Sequence, residues 1–376
     1  MALELLAQQY LPISPRHVSL LTTDGDNGNP AAVVAVSPAF DALNRVFFIE
    51  WDDPTNASSF RLAHASVPGS SVTALALVLS PEGVVHCVVQ SHTKKGGAAA
   101  TTYVFRRTES DDTDDEEGGS GAGIDKVVVK YRKLPKAMED DGRSWTAATR
   151  LYRGSSGGGG GSGRIAVACG GERGEANALK MLRLSGTRVS VQQTMELPML
   201  STFPLLQVRE IDGDASSVLA LCHHAVLEID HRLRPQDSVV RAWKWTPHDP
   251  LTSFAVKDNS IVAGTEDGVL VVWDLRLSAV REKSSHAVDH STPCGAPVTG
   301  LHMPHSTNIV SCHADGAVLA WERRSAAGGA FRFAPRPADA LPPVFVGTPG
   351  CVALAGEEHL AVVADESGTL SVFATA

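Results

Sequence analysis

The sequence predicts an all-β fold, a seven-bladed β-propeller occupying residues 1–376 as one domain. Three observations lead there. A strand–turn–strand pattern, with an aromatic residue at a fixed distance from its turn glycine, recurs three times in the C-terminal third. The two clearer copies place Trp273 and Trp321 48 residues apart, the length of one propeller blade. Helical periodicity is nearly absent along the chain.

The first copy runs from Ser260 through Asp267-Gly268 to Trp273-Asp274, and the second from Asn308 through Asp315-Gly316 to Trp321-Glu322. A third, degenerate copy runs from Leu360 through Asp365 and Gly368 to Phe373. In each, the aromatic follows the glycine by five positions. That spacing describes a hairpin. An apolar strand ends, Asp-Gly supplies the positive φ, and an alternating strand returns with the aromatic on its inner face. A short strand closed by proline precedes each of the first two hairpins. Val240, Trp243, Trp245 and Pro247 mark one, and Val298, Leu301, Met303 and Pro304 the other. Trp243 and Trp245 are assigned to the core.

These repeats resemble the WD40 family, whose name-giving dipeptide stands here as Trp273-Asp274. The resemblance implies a structural network in a blade, linking a histidine to a serine or threonine, the turn aspartate and the tryptophan. Asp267 with Trp273, and Asp315 with Ser311 and Trp321, match parts of it, with His286 or His290 as the histidine of the second set. Asp267, Gly268, Trp273, Asp274, Ser311, Asp315, Gly316, Trp321, Gly368 and Phe373 are thereby assigned to blade turns and blade core.

Earlier blades are more diverged. Residues 33–36 and 46–52 suggest a first blade, and 72–79, 84–90 and 102–106 a second. A third is assigned to 127–131, 165–169 and 179–184, and a fourth to 189–196, 218–222 and 225–230. With the three C-terminal blades the ring has seven, and closing it hides most sheet edges. The stretch from Arg16 to Thr22 is expected to pair with the last blade and lock the ring.

Two segments belong to no blade. Residues 109–123 are acidic and then Gly/Ser-rich, and 154–163 are Gly/Ser-rich throughout. Neither buries enough apolar surface to offset its ordering entropy, so both are expected to be flexible loops. Ser110 and Thr113 sit among carboxylates of the kind acidophilic kinases favour. The net charge is −9, and seven acidic residues fall between Glu109 and Glu117, so the remainder of the chain is close to neutral. No basic stripe stands out to track phosphates, which argues against nucleic acid as a partner. No run of eighteen apolar residues occurs, so membrane insertion is not expected, and the N-terminus makes a poor secretory signal.

No catalytic or cofactor-binding set emerges. The glycine tract lacks the Gly-Lys-Ser/Thr of a phosphate loop and leads into a strand. Cys87, Cys169, Cys222, Cys294, Cys312 and Cys351 are scattered singly, as reduced buried thiols would be in a cytoplasmic protein. His223-His224, His302 and His305 fall on opposite strand faces in pairs, which does not converge on a metal. Asp52-Asp53 and Glu357-Glu358 have the appearance of solvated turns.

A propeller without a catalytic set is expected to be a protein-interaction scaffold, monomeric within a larger complex. The tract from Val46 through Glu50-Trp51 to Asn56, the run Trp245-Thr-Pro-His248, and Trp273-Asp-Leu-Arg276 resemble the family of the EARP and GARP complex-interacting protein. That resemblance implies an adaptor of endosomal and trans-Golgi vesicle-tethering complexes, cytoplasmic and peripheral to those membranes. A scaffold subunit of another assembly, such as the nuclear pore or a methyltransferase complex, and an enzyme or metal-dependent binder are the alternatives.

Overall fold

The computed structural model describes residues 3–11, 14–23, 31–38, 45–53, 60–69, 71–92, 100–110, 128–134, 143–151, 163–170, 177–186, 188–197, 204–211, 214–245, 249–275, 290–291, 295–325, 331–335, 344–345, 351–357 and 359–375. Strands supply nearly all of their regular structure, with one three-residue 3-10 turn at Pro235–Asp237.

Seven antiparallel sheets form the seven blades. Blade 1 is β2 (Pro15–Thr22), β3 (Ala32–Pro38), β4 (Arg45–Trp51) and β5 (Phe60–Ser66). Blade 2 is β6 (Val72–Leu79), β7 (Val85–His92), β8 (Ala100–Ser110) and β9 (Val128–Lys133). Blade 3 is β10 (Trp145–Leu151), β11 (Arg164–Cys169), β12 (Asn177–Ser185) and β13 (Arg188–Leu197). Blade 4 is β14 (Gln207–Ile211), β15 (Asp214–Cys222), β16 (Ala225–Asp230) and β17 (Val239–Lys244). Blade 5 is β18 (Leu251–Lys257), β19 (Ser260–Thr265), β20 (Val269–Asp274) and the short β21 (His290–Ser291). Blade 6 is β22 (Val298–His305), β23 (Asn308–His313), β24 (Ala317–Ser325) and β25 (Phe331–Pro335), with β26 (Val344–Phe345) also on β24. Blade 7 is β27 (Cys351–Glu357), β28 (Leu360–Asp365), β29 (Thr369–Thr375) and, from the other end of the sequence, β1 (Leu3–Tyr10).

The ring closes differently from the expectation. Residues 16–22 lie in β2 and pair with β3 inside blade 1. The locking strand is β1, whose Glu4, Gln8 and Tyr10 oppose Ala374, Ser371 and Thr369. Alternation explains the choice. In β1 the polar Gln8 and Glu4 face out while Ala7 is buried, the pattern of an outer strand with one wet face.

Three outer strands also change blade. Residues 128–133 close blade 2 instead of opening blade 3, 188–197 close blade 3 instead of opening blade 4, and 239–244 close blade 4 instead of preceding the hairpin of blade 5. The strand that does precede that hairpin is β18. Trp243 is buried, as assigned, whereas Trp245 is half-buried and donates to the Asp249 carbonyl at 3.1 Å, and Val240 is exposed. Pro304 lies within β22, not at its end, at a break in register between His302 and His305. Glu109 and Ser110 belong to β8, opposite Val129 and Val128, so any loop begins after them. Most of 109–123 and 154–163, together with His286 and 246–248, lies outside the described residues.

Apolar clusters sit between neighbouring blades. One joins Leu21, Val33 and Phe48 of blade 1 to Leu75, Cys87 and Phe105 of blade 2; another joins Val310 and Cys312 of blade 6 to Leu354, Val363 and Phe373 of blade 7. The middle strands β3, β7 and β16 are accordingly buried along nearly their whole length, on both faces of the sheet. Cys87, Cys169, Cys222 and Cys312 are buried free thiols within this packing. Blades 6 and 7 approach so closely that a methyl group on Gly356 would overlap the His302 ring. Gly356→Ala is expected to lower stability by about 1–3 kcal/mol, the usual effect of overfilling a packed contact. Denaturant titration checks it, and an unchanged midpoint would mean that the two blades are not in this contact.

Candidate functional site

The three sequence repeats build one turn in three ways. Gly268, Gly316 and Gly368 each donate their N–H to the carbonyl three residues back, on Thr265, His313 and Asp365, and each has φ between 82° and 92°. That left-handed backbone is accessible to glycine at little cost. The side chain at the first turn position then differs. Thr265 Oγ1 accepts from Val269 N at 3.1 Å, and Asp365 Oδ1 accepts from Ser367 N and Thr369 N at 2.9 Å each. In blade 6 the task passes to Asp315, whose Oδ1 accepts from Ala317 N at 3.0 Å.

His313 is thereby free for the interior of blade 6. Trp321 Nε1 donates to Ser311 Oγ at 2.8 Å, Ser311 and His313 Nε2 are 2.9 Å apart, and His313 Nδ1 lies 3.2 Å from the Ala296 carbonyl. An indole nitrogen only donates, so Ser311 accepts from it and spends its own proton on Nε2. Nδ1 then carries the imidazole proton and donates to Ala296. Burial lowers the His313 pKa and keeps the ring in this neutral form. Of the expected network the serine–tryptophan link is present with His313 as its histidine, while Asp315 bonds within its own turn; His286 and the His290 side chain lie outside the described residues. In blade 5 Ala263 occupies the place of Ser311, and Asp267 stands exposed at the turn, so the proposed Asp267–Trp273 set does not form; Trp273 is held by packing, and Asp274 is half-buried beside it. Phe373 fills the same core position in blade 7 without a donor.

A second polar group joins blades 1 and 2. Glu50 is 1% exposed; Arg107 donates to it through Nε at 2.9 Å and Nη2 at 3.1 Å, and Tyr131 donates its hydroxyl at 2.7 Å. Phe48 stacks on Tyr131 with ring centres 3.6 Å apart. Burial and the adjacent Glu50 carboxylate push the Tyr131 hydroxyl well above its usual pKa, so it stays a donor.

The inner strands surround a central channel of about 310 Å3. Its walls carry small residues, Ala74, Ala76, Ala147 and Ala355 among them, which leave the axis open. Around it side chains join each blade to the next: Ser19 Oγ accepts from Leu77 N at 3.1 Å, Gln90 Oε1 from Trp145 N at 2.6 Å, and Gln207 Oε1 from Phe254 N at 3.1 Å. Glu357, expected as a solvated turn, is 8% exposed on the channel wall, where it pairs with Arg150 and accepts from Thr22 N at 2.8 Å. Asp52 is exposed, as expected, and pairs with Arg61. Reasoning from sequence missed the channel because its residues come from strands spread along the whole chain.

His17 lies on the same wall. Burial, and then the neighbouring Arg16, lower its pKa from 6.5 to about 4. A folded-state pKa below the unfolded one gives stability that is complete above pH 6.5 and is lost as pH falls towards 4. His86 and His313 are shifted in the same direction, also by burial. His17→Gln is therefore expected to flatten the fall in melting temperature between pH 6.5 and 4, measured at a series of pH values. Parallel curves for the two proteins would show that His17 titrates normally.

Among the described residues no three His, Cys, Asp or Glu converge on a metal position, and no helix is long and apolar enough to cross a membrane. No protein-family pattern matches the chain, and no curated protein matches it in sequence. Solved structures match it in fold. Chaetomium thermophilum Raptor superposes with a TM-score of 0.60 at 13% identity, over 99% of this chain and 28% of that one. The WD40 β-propeller domain of Doa1 superposes with a TM-score of 0.55 at 11% identity, over 100% of this chain and 97% of that domain. The chain therefore spans little more than a quarter of Raptor and nearly all of the Doa1 propeller. At such identities the likeness is one of fold: this chain is a seven-bladed propeller of the WD40 type.

Proposed function

We propose that this chain is a non-enzymatic protein-interaction scaffold and, more narrowly, an adaptor of endosomal and trans-Golgi vesicle-tethering complexes. The observation that carries the scaffold reading is the use of the buried polar residues. Glu50 and Arg107 are consumed in a bond between blades, and the Ser311–His313 pair, which could otherwise suggest a nucleophile and its base, is fully buried within blade 6 with Ser311 already accepting from Trp321. What such a body offers a partner is a rigid ring with loops at its two faces.

The narrower reading is supported by the resemblance carried by residues 46–56, 245–248 and 273–276. In the folded protein Phe48, Glu50, Trp51 and Trp273 are core residues, so this part of the resemblance reports the blade interior and not a partner surface. Affinity purification of the tagged protein with mass spectrometry separates the possibilities. Tethering subunits in the eluate are the expected result. Nuclear-pore or methyltransferase subunits alone would overturn the adaptor reading and keep the scaffold. The absence of any stoichiometric protein partner would overturn both.

A further inference from the structure

The charge of the channel is opposite to that of the chain. A second cavity of about 310 Å3, between the inner strands of blades 4 to 7, meets the central one at Arg209, Gly356 and Glu357. Four cationic side chains, Arg16, Arg150, Arg209 and Lys257, line the two cavities against the single carboxylate Glu357, in a chain of net charge −9. Glu357 is already engaged by Arg150.

Arg209 is the residue that matters most. It projects from β14 onto both cavities, and its guanidinium makes no hydrogen bond or ion pair with any described residue. Burial alone lowers its pKa, with no neighbouring carboxylate acting against it. A half-buried guanidinium where two cavities meet, with no described acceptor, is open to one, and its planar array of donors matches an oxyanion in two-point contact.

We infer that the channel binds a small free polyanion of the phosphate class, such as pyrophosphate, with Arg209 as its principal contact. The commitment to a free ion follows from the site's position among the inner strands, within a space of only about 310 Å3. The site stands independently of the scaffold reading.

Calorimetric titration of the full chain with pyrophosphate, in about 0.15 M salt, tests the inference. One-to-one saturable binding is expected, tighter for pyrophosphate than for orthophosphate. Loss of a hydrogen-bonded charge pair should weaken it about tenfold or more in Arg209→Gln. Arg188→Gln, on the outer strand β13, should bind as the parent does. If Arg209→Gln does not fold, Arg209→Lys keeps the charge and loses the two-point geometry, and should still bind several-fold more weakly. Absence of saturable binding by the parent chain, or parent-like affinity in whichever Arg209 variant folds, would overturn the site. Tighter binding of a phosphoserine peptide than of pyrophosphate would overturn the free-ion assignment.

Discussion

Trp321→Ala is expected to lower stability by about 3–5 kcal/mol, as truncation of a large core aromatic does. The indole is 1% exposed and packs with Ile309, Met303 and Leu301 of its own blade and with Val262 and Leu270 of blade 5. Its loss opens a cavity at a blade junction and strands Ser311 and His313, which lose the donor at the head of their chain. Two further variants divide the effect. Trp321→Phe retains most of the ring and removes the donor, and should cost less than alanine. Ser311→Ala leaves both the indole N–H and His313 Nε2 unsatisfied and should cost about 1–3 kcal/mol. Denaturant unfolding followed by circular dichroism reads all three. A Trp321→Ala midpoint equal to that of the parent would remove Trp321 from the core.

Glu50→Ala is the second large effect, at about 3–5 kcal/mol. Most of that arises from what remains: buried Arg107 and Tyr131 both lose the carboxylate to which they donate. The reverse truncation, Arg107→Ala, should be comparably harmful, because it leaves the carboxylate. Replacing both, as Glu50→Leu with Arg107→Met, should recover most of the loss, since an apolar pair of similar volume avoids the desolvation of two charges. A double-mutant cycle decides the matter. Additive single effects, with no recovery in the double variant, would show that the pair does not join blades 1 and 2.

The two effects differ in how visible their residues are from sequence. The blade 6 network was almost legible, because Ser311, Asp315-Gly316 and Trp321 keep the repeat spacing. Its histidine was sought upstream, whereas strand period two places His313 on the same face as Ser311. The middle strands of every blade were legible as apolar runs. The outer strands β9, β13 and β17 were assigned one blade too late, because half of their residues face solvent and nothing in their composition separates a blade's last strand from the next blade's first. β10 and β14 were missed for a related reason. Facing the channel, they carry Thr, Ala, Arg and Gln where an apolar strand was expected. The Glu50 pair and the channel were not legible at all. Their members are 57 residues apart in one case, brought together by packing of blade 1 on blade 2, and spread from Arg16 to Glu357 in the other, brought together by ring closure.

Ring closure is therefore the central claim, and one cysteine pair tests it directly. Gln8 and Ser371 oppose each other across β1 and β29, and Gln8 Nε2 donates to Ser371 Oγ at 3.1 Å. Cysteines at both positions should join under mild oxidation, because directly opposed strand residues have a Cα separation within the range of a disulfide. The linked chain should migrate faster than its reduced form without reductant and melt at a higher temperature, since the bond ties the two ends of the sequence together. The variant with cysteines at His17 and Ser371 should form no such bond, because β2 pairs within blade 1. A bond between positions 17 and 371, or none between 8 and 371, would contradict closure by the N-terminal strand.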